Sequence, residues 1–285
     1  DCTSPTPPAP SCMAPDAASD WAQAEAEWSS VQEGVISETH IVRAIQLGQV
    51  ESGIQRPITY TQAFNHFFVE VEWKGKEIKK PQSHIGTLAK LAAPSLDRKL
   101  HEERQFIYFL QKQPMDHSVV EHCRIFTTLF KFLTGEEAAI PVTGDHIQKI
   151  GFQANDPKTD LRTAGMFSLL QALYFISEHP AIAKDYYRTS ISATHEFPWI
   201  LCSINFSCMV LDLLKDKRLH RMANQKGSMI EVVHKAYVVI FAKFVEMWTK
   251  PPSRSIGEWD ATRRELKGHA NEQIGKLVKE MEMKA

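Results

Sequence analysis

The chain has 285 residues, of which 43% are hydrophobic and 24% are charged, a composition typical of a soluble globular protein with a substantial core. Its 33 basic and 34 acidic residues give a formal net charge of −1, which provides no general electrostatic attraction for nucleic acid. The most apolar run, 199–211, is too short to span a membrane, which takes about 20 apolar residues. We therefore expect a soluble protein with no transmembrane segment and no nucleic-acid partner.

The first third of the chain is predicted to differ from the rest. Residues 1–30 are dominated by proline, alanine and serine, and so little apolar surface predicts a disordered tail. Apolar spacing predicts a helix over 31–47, ended by Gly48. Residues 67–80 then alternate apolar and acidic side chains around a lysine-glycine-lysine turn, which predicts a small β-hairpin. We assign 31–94 to an amino-terminal extension of mixed structure.

Beyond residue 94 the apolar residues recur at helical spacing, and proline or glycine interrupts the pattern at intervals. Ser255 and Glu258 have the spacing of a capping box before a long charged helix at the carboxyl end. Asn205 lies inside the most apolar helix, so we expect it to have a buried hydrogen-bond partner. The predicted fold class is all-α, with one helical domain over 95–285. Before the last helix of this domain, further helices are predicted over 96–113, 116–135, 163–179, 198–217 and 229–250.

Several signatures of self-contained enzymes are absent from the sequence, namely the phosphate loop GxxxxGK, the dinucleotide motif GxGxxG and the nucleophile motif GxSxG. His117 and His122 are five residues apart, which is the wrong spacing for two zinc ligands on one helical face. Cys123, Cys202 and Cys208 lie in apolar patterns and the cysteine total is odd, which predicts free thiols in a cytoplasmic protein. We expect neither a metal nor a cofactor.

The stretch 150–180 changes abruptly from a polar loop to a strongly apolar helix. Asp156 and Pro157 are a typical helix-start pair, and Thr159 and Asp160 provide further acceptors for free backbone amides. Gly165 allows a close approach of another backbone or an unusual backbone angle. The apolar residues that follow predict a buried helix rooted in this loop.

Arg162 lies at the start of that buried helix, and two interpretations of it are open. In the first, its side chain pairs with Asp156 or Asp160 and holds the loop in place. In the second, a rigid element presents the arginine to a phosphate or another anion, because the planar, permanently charged guanidinium suits such ligands. An exposed Arg162 favours the second interpretation, and a buried, paired Arg162 favours the first.

A family resemblance rests on the same stretch. The run Ile150-Gly151-Phe152-Gln153, followed by Asp156-Pro157, Thr159-Asp160, Arg162 and Gly165, resembles the signature of the ELMO domain. The similarity covers about 115–270. Small ELMO-domain-containing proteins activate Arf-family GTPases and require the arginine, whereas the engulfment and cell-motility proteins of the same family assist DOCK-type exchange factors and lack it. Because it keeps Arg162, the chain resembles the first branch.

The resemblance implies a GTPase-activating protein that supplies Arg162 in trans to an Arf-family GTPase. It implies that the remaining motif residues position the loop or contact the partner, namely Gln153, Asp156, Thr159, Asp160 and Gly165. No cofactor is implied, since the GTPase supplies magnesium and the attacking water. The protein would be cytoplasmic and would reach internal membranes peripherally, through the GTPase. The alternative is a non-catalytic ELMO-type module that binds a small GTPase or an exchange factor.

Two positions depart from the family pattern. Thr163 follows the arginine where the family usually has glycine, and its bulk is expected to restrict how closely a partner backbone approaches. His146 and Ile147 stand where the family usually has a tryptophan before the Ile150–Gln153 run.

Overall fold

The computed structural model of the chain describes residues 52–71, 73–74 and 94–284. The predicted tail over 1–30, the predicted helix over 31–47 and the end of the predicted hairpin lie outside these residues. Within them the chain forms only helices, turns and loops. The predicted all-α fold is confirmed, and the domain boundaries proposed from the sequence stay a prediction.

Ten α-helices, labelled here in chain order, account for most of the described residues. Short 3-10 turns at Arg98–Leu100, Asp145–Ile150 and Ile256–Glu258 supplement them. The α-helices are α1 (Tyr60–Asn65), α2 (His101–Lys112), α3 (Val120–Thr134), α4 (Pro157–Asp160), α5 (Gly165–Glu178), α6 (Pro180–Ser190), α7 (Trp199–Lys215), α8 (His220–Lys226), α9 (Met229–Thr249) and α10 (Trp259–Lys284).

Helices begin or end at several of the residues where the sequence predicts it. Gly135 ends α3 in the left-handed conformation, with φ of 79°, which costs glycine no steric penalty. Ser255 and Glu258 form the predicted capping box. Pro180, expected to stop a helix, also begins the next one, because proline is well accommodated in a first helical turn.

The first half of the predicted hairpin is wrong. His66–Glu70 continues α1 as a π-helical turn. The alternation that begins at Phe67 is the tail of a longer helical pattern, in which Tyr60, Ala63, Phe64 and Phe67 share one face. Phe67 is fully buried and stacks on His122 of α3, with ring centroids 5.2 Å apart. Burial of this helical face therefore overrides the local alternation.

Helix α5 lies at the centre of the fold. All but three of its residues are buried, and it packs against α1, α2, α3, α6, α7 and α9. A helix that is apolar on nearly all sides requires neighbours on all of them. The predicted buried helix after Arg162 is confirmed, and the loop before it is therefore attached to the most constrained element of the molecule.

Helix α9 begins on a carboxylate from α2. Glu103 Oε2 accepts hydrogen bonds from the backbone N–H groups of Met229, at 2.6 Å, and Ile230, at 2.9 Å. The hydroxyl of Ser228 also donates to it, at 3.0 Å. A negative charge at a helix amino terminus satisfies free amides and complements the helix dipole. Glu103 thus joins two helices that are far apart in sequence.

A buried polar cluster joins α1, α5 and α9. His234 Nδ1 lies 2.8 Å from Gln171 Oε1, and its Nε2 lies 2.5 Å from the hydroxyl of Tyr60. Since an amide oxygen can only accept, Nδ1 carries the proton and Nε2 accepts from Tyr60. Tyr174 stacks on the imidazole with ring centroids 4.1 Å apart. Burial lowers the pKa of His234 to about 3, so the ring is neutral at physiological pH.

The expectation for Asn205 is wrong. Its side chain is only partly buried, and its Nδ2 donates to the carbonyl of Leu201, one turn earlier in the same helix, at 2.8 Å. A short polar side chain can satisfy itself on its own helix in this way, without a distant partner.

Candidate functional site

Arg162 lies in the four-residue turn between α4 and α5. Leu161 and Ala164, at the two ends of this turn, are buried at 1% and 0% exposure, whereas Arg162 and Thr163 are exposed. The alternation of buried and exposed residues fixes the turn by its apolar ends. The two central side chains are presented to solvent on a short, anchored segment.

Gly165 closes this turn against the end of α2. Its φ is +56°, and a Cβ placed on it would lie 2.6 Å from the carbonyl oxygens of Leu110, Gln111 and Gln113. The neighbouring Met166 N–H donates to the Gln113 carbonyl at 2.9 Å. Only glycine allows this backbone angle and this approach together. The position of Arg162 is therefore set by backbone contact between α5 and α2.

The guanidinium of Arg162 is partly oriented but not neutralised. Its Nε donates to the carbonyl of Thr159 at 2.8 Å. Among the described residues no carboxylate forms an ion pair with it, and the two terminal amino groups have no described partner. The pairing with Asp156 or Asp160 that one interpretation required is absent from this part of the chain.

Both aspartates are used to order the loop. Asp156 caps α4, since its Oδ1 accepts from the Lys158 N–H at 2.9 Å, and His117 Nε2 lies 3.2 Å from the same oxygen. Asp160 Oδ2 accepts from the backbone N–H of Gln153 at 2.8 Å. The Asp160 contact ties the Ile150–Gln153 run to the helical turn that precedes Arg162.

The Ile150–Gln153 run is held at its other end by the start of α7. Gly151 has φ of +96°, and a Cβ there would lie 2.5 Å from the backbone nitrogen of Trp199. Phe152 is buried, whereas the side chain of Gln153 is exposed. The motif thus brings Gln153 and Asp160 together through one hydrogen bond, with Thr159 and Arg162 on the adjoining turn.

A groove of about 550 Å³ opens beside Gln153, and we name it the Gln153 groove. Its walls are the 148–153 segment, the loop before α7 and the start of the last capping box. Ile191 and Ile256 line it and are 59% and 58% exposed, so both leave apolar surface open to a partner. Neither residue is predictable as exposed from the sequence, since no local pattern distinguishes an exposed isoleucine from a buried one.

Metal-binding clusters and membrane-spanning helices are both absent from the described part of the chain. No group of His, Cys, Asp or Glu side chains there is arranged to hold a metal ion. None of the helices in these ranges carries an apolar stretch long enough to cross a bilayer. The three cysteines described, Cys123, Cys202 and Cys208, are free thiols.

The site lies within a stretch that matches a known family. Residues 105–262, more than half of the chain, match the model of the ELMO/CED-12 family. The chain belongs to the ELMO/CED-12 family. The matched stretch includes Arg162 and all the motif residues named with it, together with the two exposed isoleucines of the Gln153 groove. Helix α1 and the end of α10 lie outside it.

Individual relatives extend the ELMO/CED-12 similarity along the chain. ELMO domain-containing protein 3 of Mus musculus is 28% identical over 277 residues, which cover 90% of this chain and 72% of the mouse protein. Its Homo sapiens counterpart is 28% identical over 233 residues, covering 79% of this chain and 61% of that protein. ELMO domain-containing protein B of Dictyostelium discoideum is 25% identical over 156 residues, or 55% of each chain. No solved structure matches.

Proposed function

We propose that this ELMO/CED-12 protein is a GTPase-activating protein for Arf-family small GTPases, and that it supplies Arg162 in trans. The observation that carries the proposal is the state of that side chain: exposed, rigidly mounted and without a carboxylate partner among the described residues. The resemblance of its motif to the arginine-containing branch of the family supports the choice of GTPase.

The chemistry required of the arginine is electrostatic. During GTP hydrolysis, negative charge shifts on the phosphoryl oxygens, and a guanidinium stabilises it with charge-assisted hydrogen bonds. Because Arg162 Nε is held by the Thr159 carbonyl, its terminal amino groups are the donors left for two phosphate oxygens. The GTPase supplies magnesium and the attacking water, so the activator needs no cofactor of its own.

The other motif residues are proposed to keep the arginine in place. Thr159 orients the guanidinium through its carbonyl, Asp156 caps the preceding helix, and Asp160 fastens the loop to the Gln153 backbone. Gly165 sets the distance between the turn and α2. A misplacement of about 1 Å can cost a catalytic group about 10²-fold in rate, so loss of one of these supports should slow GTP hydrolysis even where Arg162 is intact.

The Gln153 groove is proposed as part of the surface that contacts the GTPase. Exposed isoleucines can supply apolar contact area, and the exposed Gln153 side chain can supply a hydrogen bond. Peripheral recruitment of this cytoplasmic protein to internal membranes would then come through the bound GTPase.

The test is the Arg162→Lys variant in single-turnover GTP hydrolysis by a panel of Arf-family proteins, with Arg188→Lys, an exposed arginine on α6, as the matched control. Lysine keeps the charge but loses the fork that bonds two oxygens. We expect Arg162→Lys to lose most of the stimulation, which for an arginine supplied in trans is worth about 10³–10⁵ in rate. The variant should keep the wild-type melting temperature and the wild-type affinity for the GTPase, because the side chain acts in the transition state.

Two outcomes would contradict the proposal. If Arg162→Lys lost stability and activity in parallel, Arg162 would be a structural residue. If the wild-type protein bound GTP-loaded partners and accelerated none of them, the non-catalytic module would be the correct reading. An Ile191→Asp variant separates binding from chemistry, since loss of apolar contact should weaken GTPase affinity and leave the saturating rate unchanged.

A further inference from the structure

A second groove, of about 600 Å³, lies between α8, α9 and the end of α10. We name it the basic groove. Its α10 wall, formed by 275–280, lies beyond the stretch that matches the family. None of its lining residues belongs to the Arg162 turn or to the Gln153 groove, so it is not part of the proposed catalytic surface.

The lining of the basic groove includes apolar side chains from all three helices. Val232 of α9 and Val278 of α10 are 3% and 6% exposed, and Met222 of α8 is partly buried. Gly275 deepens the groove at this point. A Cβ on Gly275 would lie 3.9 Å from the sulfur of Met222, which is ordinary contact distance, so a larger side chain there would fill space that is now open.

Five basic side chains line the same groove, namely Arg221, Lys226, Lys235, Lys276 and Lys279. Two carboxylates offset part of this charge: Glu231 lies 2.7 Å from Lys235, and Glu280 lies 3.6 Å from Lys276. Among the lining residues these five cations stand against one carboxylate, Glu280, on a chain whose formal net charge is −1. Such a concentration of one sign attracts a partner of the opposite sign.

We propose that the basic groove binds an acidic segment of another protein, in which apolar side chains alternate with carboxylates. Spaced cations around an apolar lining match spaced carboxylates with apolar residues between them. A phosphate headgroup fits less well, because it concentrates its charge at one point, whereas the cations of the groove are spread over three helices with apolar side chains between them. Arg221 and Lys279 are exposed, and they provide the charges that a peptide carboxylate meets first.

The experiment uses the full chain and a fluorescent synthetic helical peptide with glutamates on one face and leucines on the other. Binding is followed by fluorescence anisotropy, with the same peptide carrying lysine for glutamate as the negative probe. The groove variant is Lys276→Glu with Lys279→Glu. Its control is Arg188→Glu with Lys250→Glu, which changes the net charge equally at exposed positions away from the groove.

We expect the groove variant to weaken binding by about tenfold or more and the control by about twofold or less, since exposed charges act mainly over a Debye length. A third variant, Gly275→Leu, leaves the charge unchanged and occupies the open space beside Met222. It should also weaken binding, and its stability should be at least that of the wild type because leucine favours a helix over glycine.

Equal losses in the groove variant and its control would overturn the proposal, because overall charge would then explain the binding. Unchanged binding by Gly275→Leu would also overturn it, since the apolar lining would have no part. A parallel arm measures sedimentation with phosphatidylserine-containing vesicles. Vesicle binding that depends on Lys276 and Lys279, with no binding of the acidic peptide, would assign the groove to a membrane surface instead.

Discussion

Replacement of Gly165 by alanine should destabilise the protein strongly, although it adds only one methyl group. A non-glycine residue in the left-handed region costs about 1–2 kcal/mol. The new Cβ would also lie 2.6 Å from three backbone carbonyl oxygens at the end of α2 and in the residue that follows it, so α5 must move away from them. That movement removes the Met166–Gln113 hydrogen bond, worth about 1 kcal/mol. The sum is about 2–3 kcal/mol before any loss of packing around α5.

The control for this prediction is the same substitution at Gly268 in α10, where a Cβ would meet nothing within 4 Å. There alanine should stabilise the helix by about 0.5–1 kcal/mol. The melting temperatures, followed by circular dichroism, should therefore move in opposite directions, with that of Gly165→Ala about 4–12 °C lower than the wild type for a domain of this size. A Gly165→Ala protein that melts at or above the wild-type temperature would refute the account of how the Arg162 turn is fixed.

Two further predictions concern residues far from the turn. Glu103→Ala should lower the free energy of unfolding in urea by about 2 kcal/mol, because the first amides of α9 lose their acceptor. The control Glu102→Ala removes only an exposed ion pair with Lys74 and should lower it by less than about 1 kcal/mol. Equal losses would contradict the role of Glu103 as a cap. Below pH 6.5 the unfolded chain protonates His234, whereas the folded chain, with a pKa of about 3, does not. As the pH is lowered from about 6.5 to about 3, the free energy of unfolding should thus fall by up to about 1.4 kcal/mol per pH unit. His234→Gln should flatten this pH dependence, and an unchanged slope would exclude His234 as its cause.

The features of the fold that could be predicted depend mainly on residues that are close together in the sequence. The end of α3 at Gly135, the start of α4 at Asp156 and Pro157, and the capping box of Ser255 each depend on residues within four positions of one another. Such signals are short-range and act in any context. The π-helical turn after α1 was not predicted, because its apolar face is completed only by aromatic residues one and two turns before Phe67.

The geometry of the candidate site was only partly predictable. The motif residues could be named from the sequence, and Asp156 could be given its capping role. The sequence did not indicate that Gly165 lies against the last carbonyls of α2, or that Gly151 lies against the start of α7. These contacts join positions about 50 residues apart, and spacing along the chain carries no information about such pairs. The choice between a paired and an exposed Arg162 depended on them.

The stretch that matches the family and the stretch that can fold unaided need not have the same ends. Before residue 105, α1 places Tyr60 on His234, and the π-helical turn after it places Phe67 on His122. After residue 262, α10 buries Leu266, Ala270, Ile274 and Val278. A fragment that contains only residues 105–262 would lack both of these packed segments. It would expose apolar surface that is buried in the longer chain, and such surface promotes aggregation during expression. A well-behaved recombinant domain should therefore begin near residue 52 and retain the whole of the last helix.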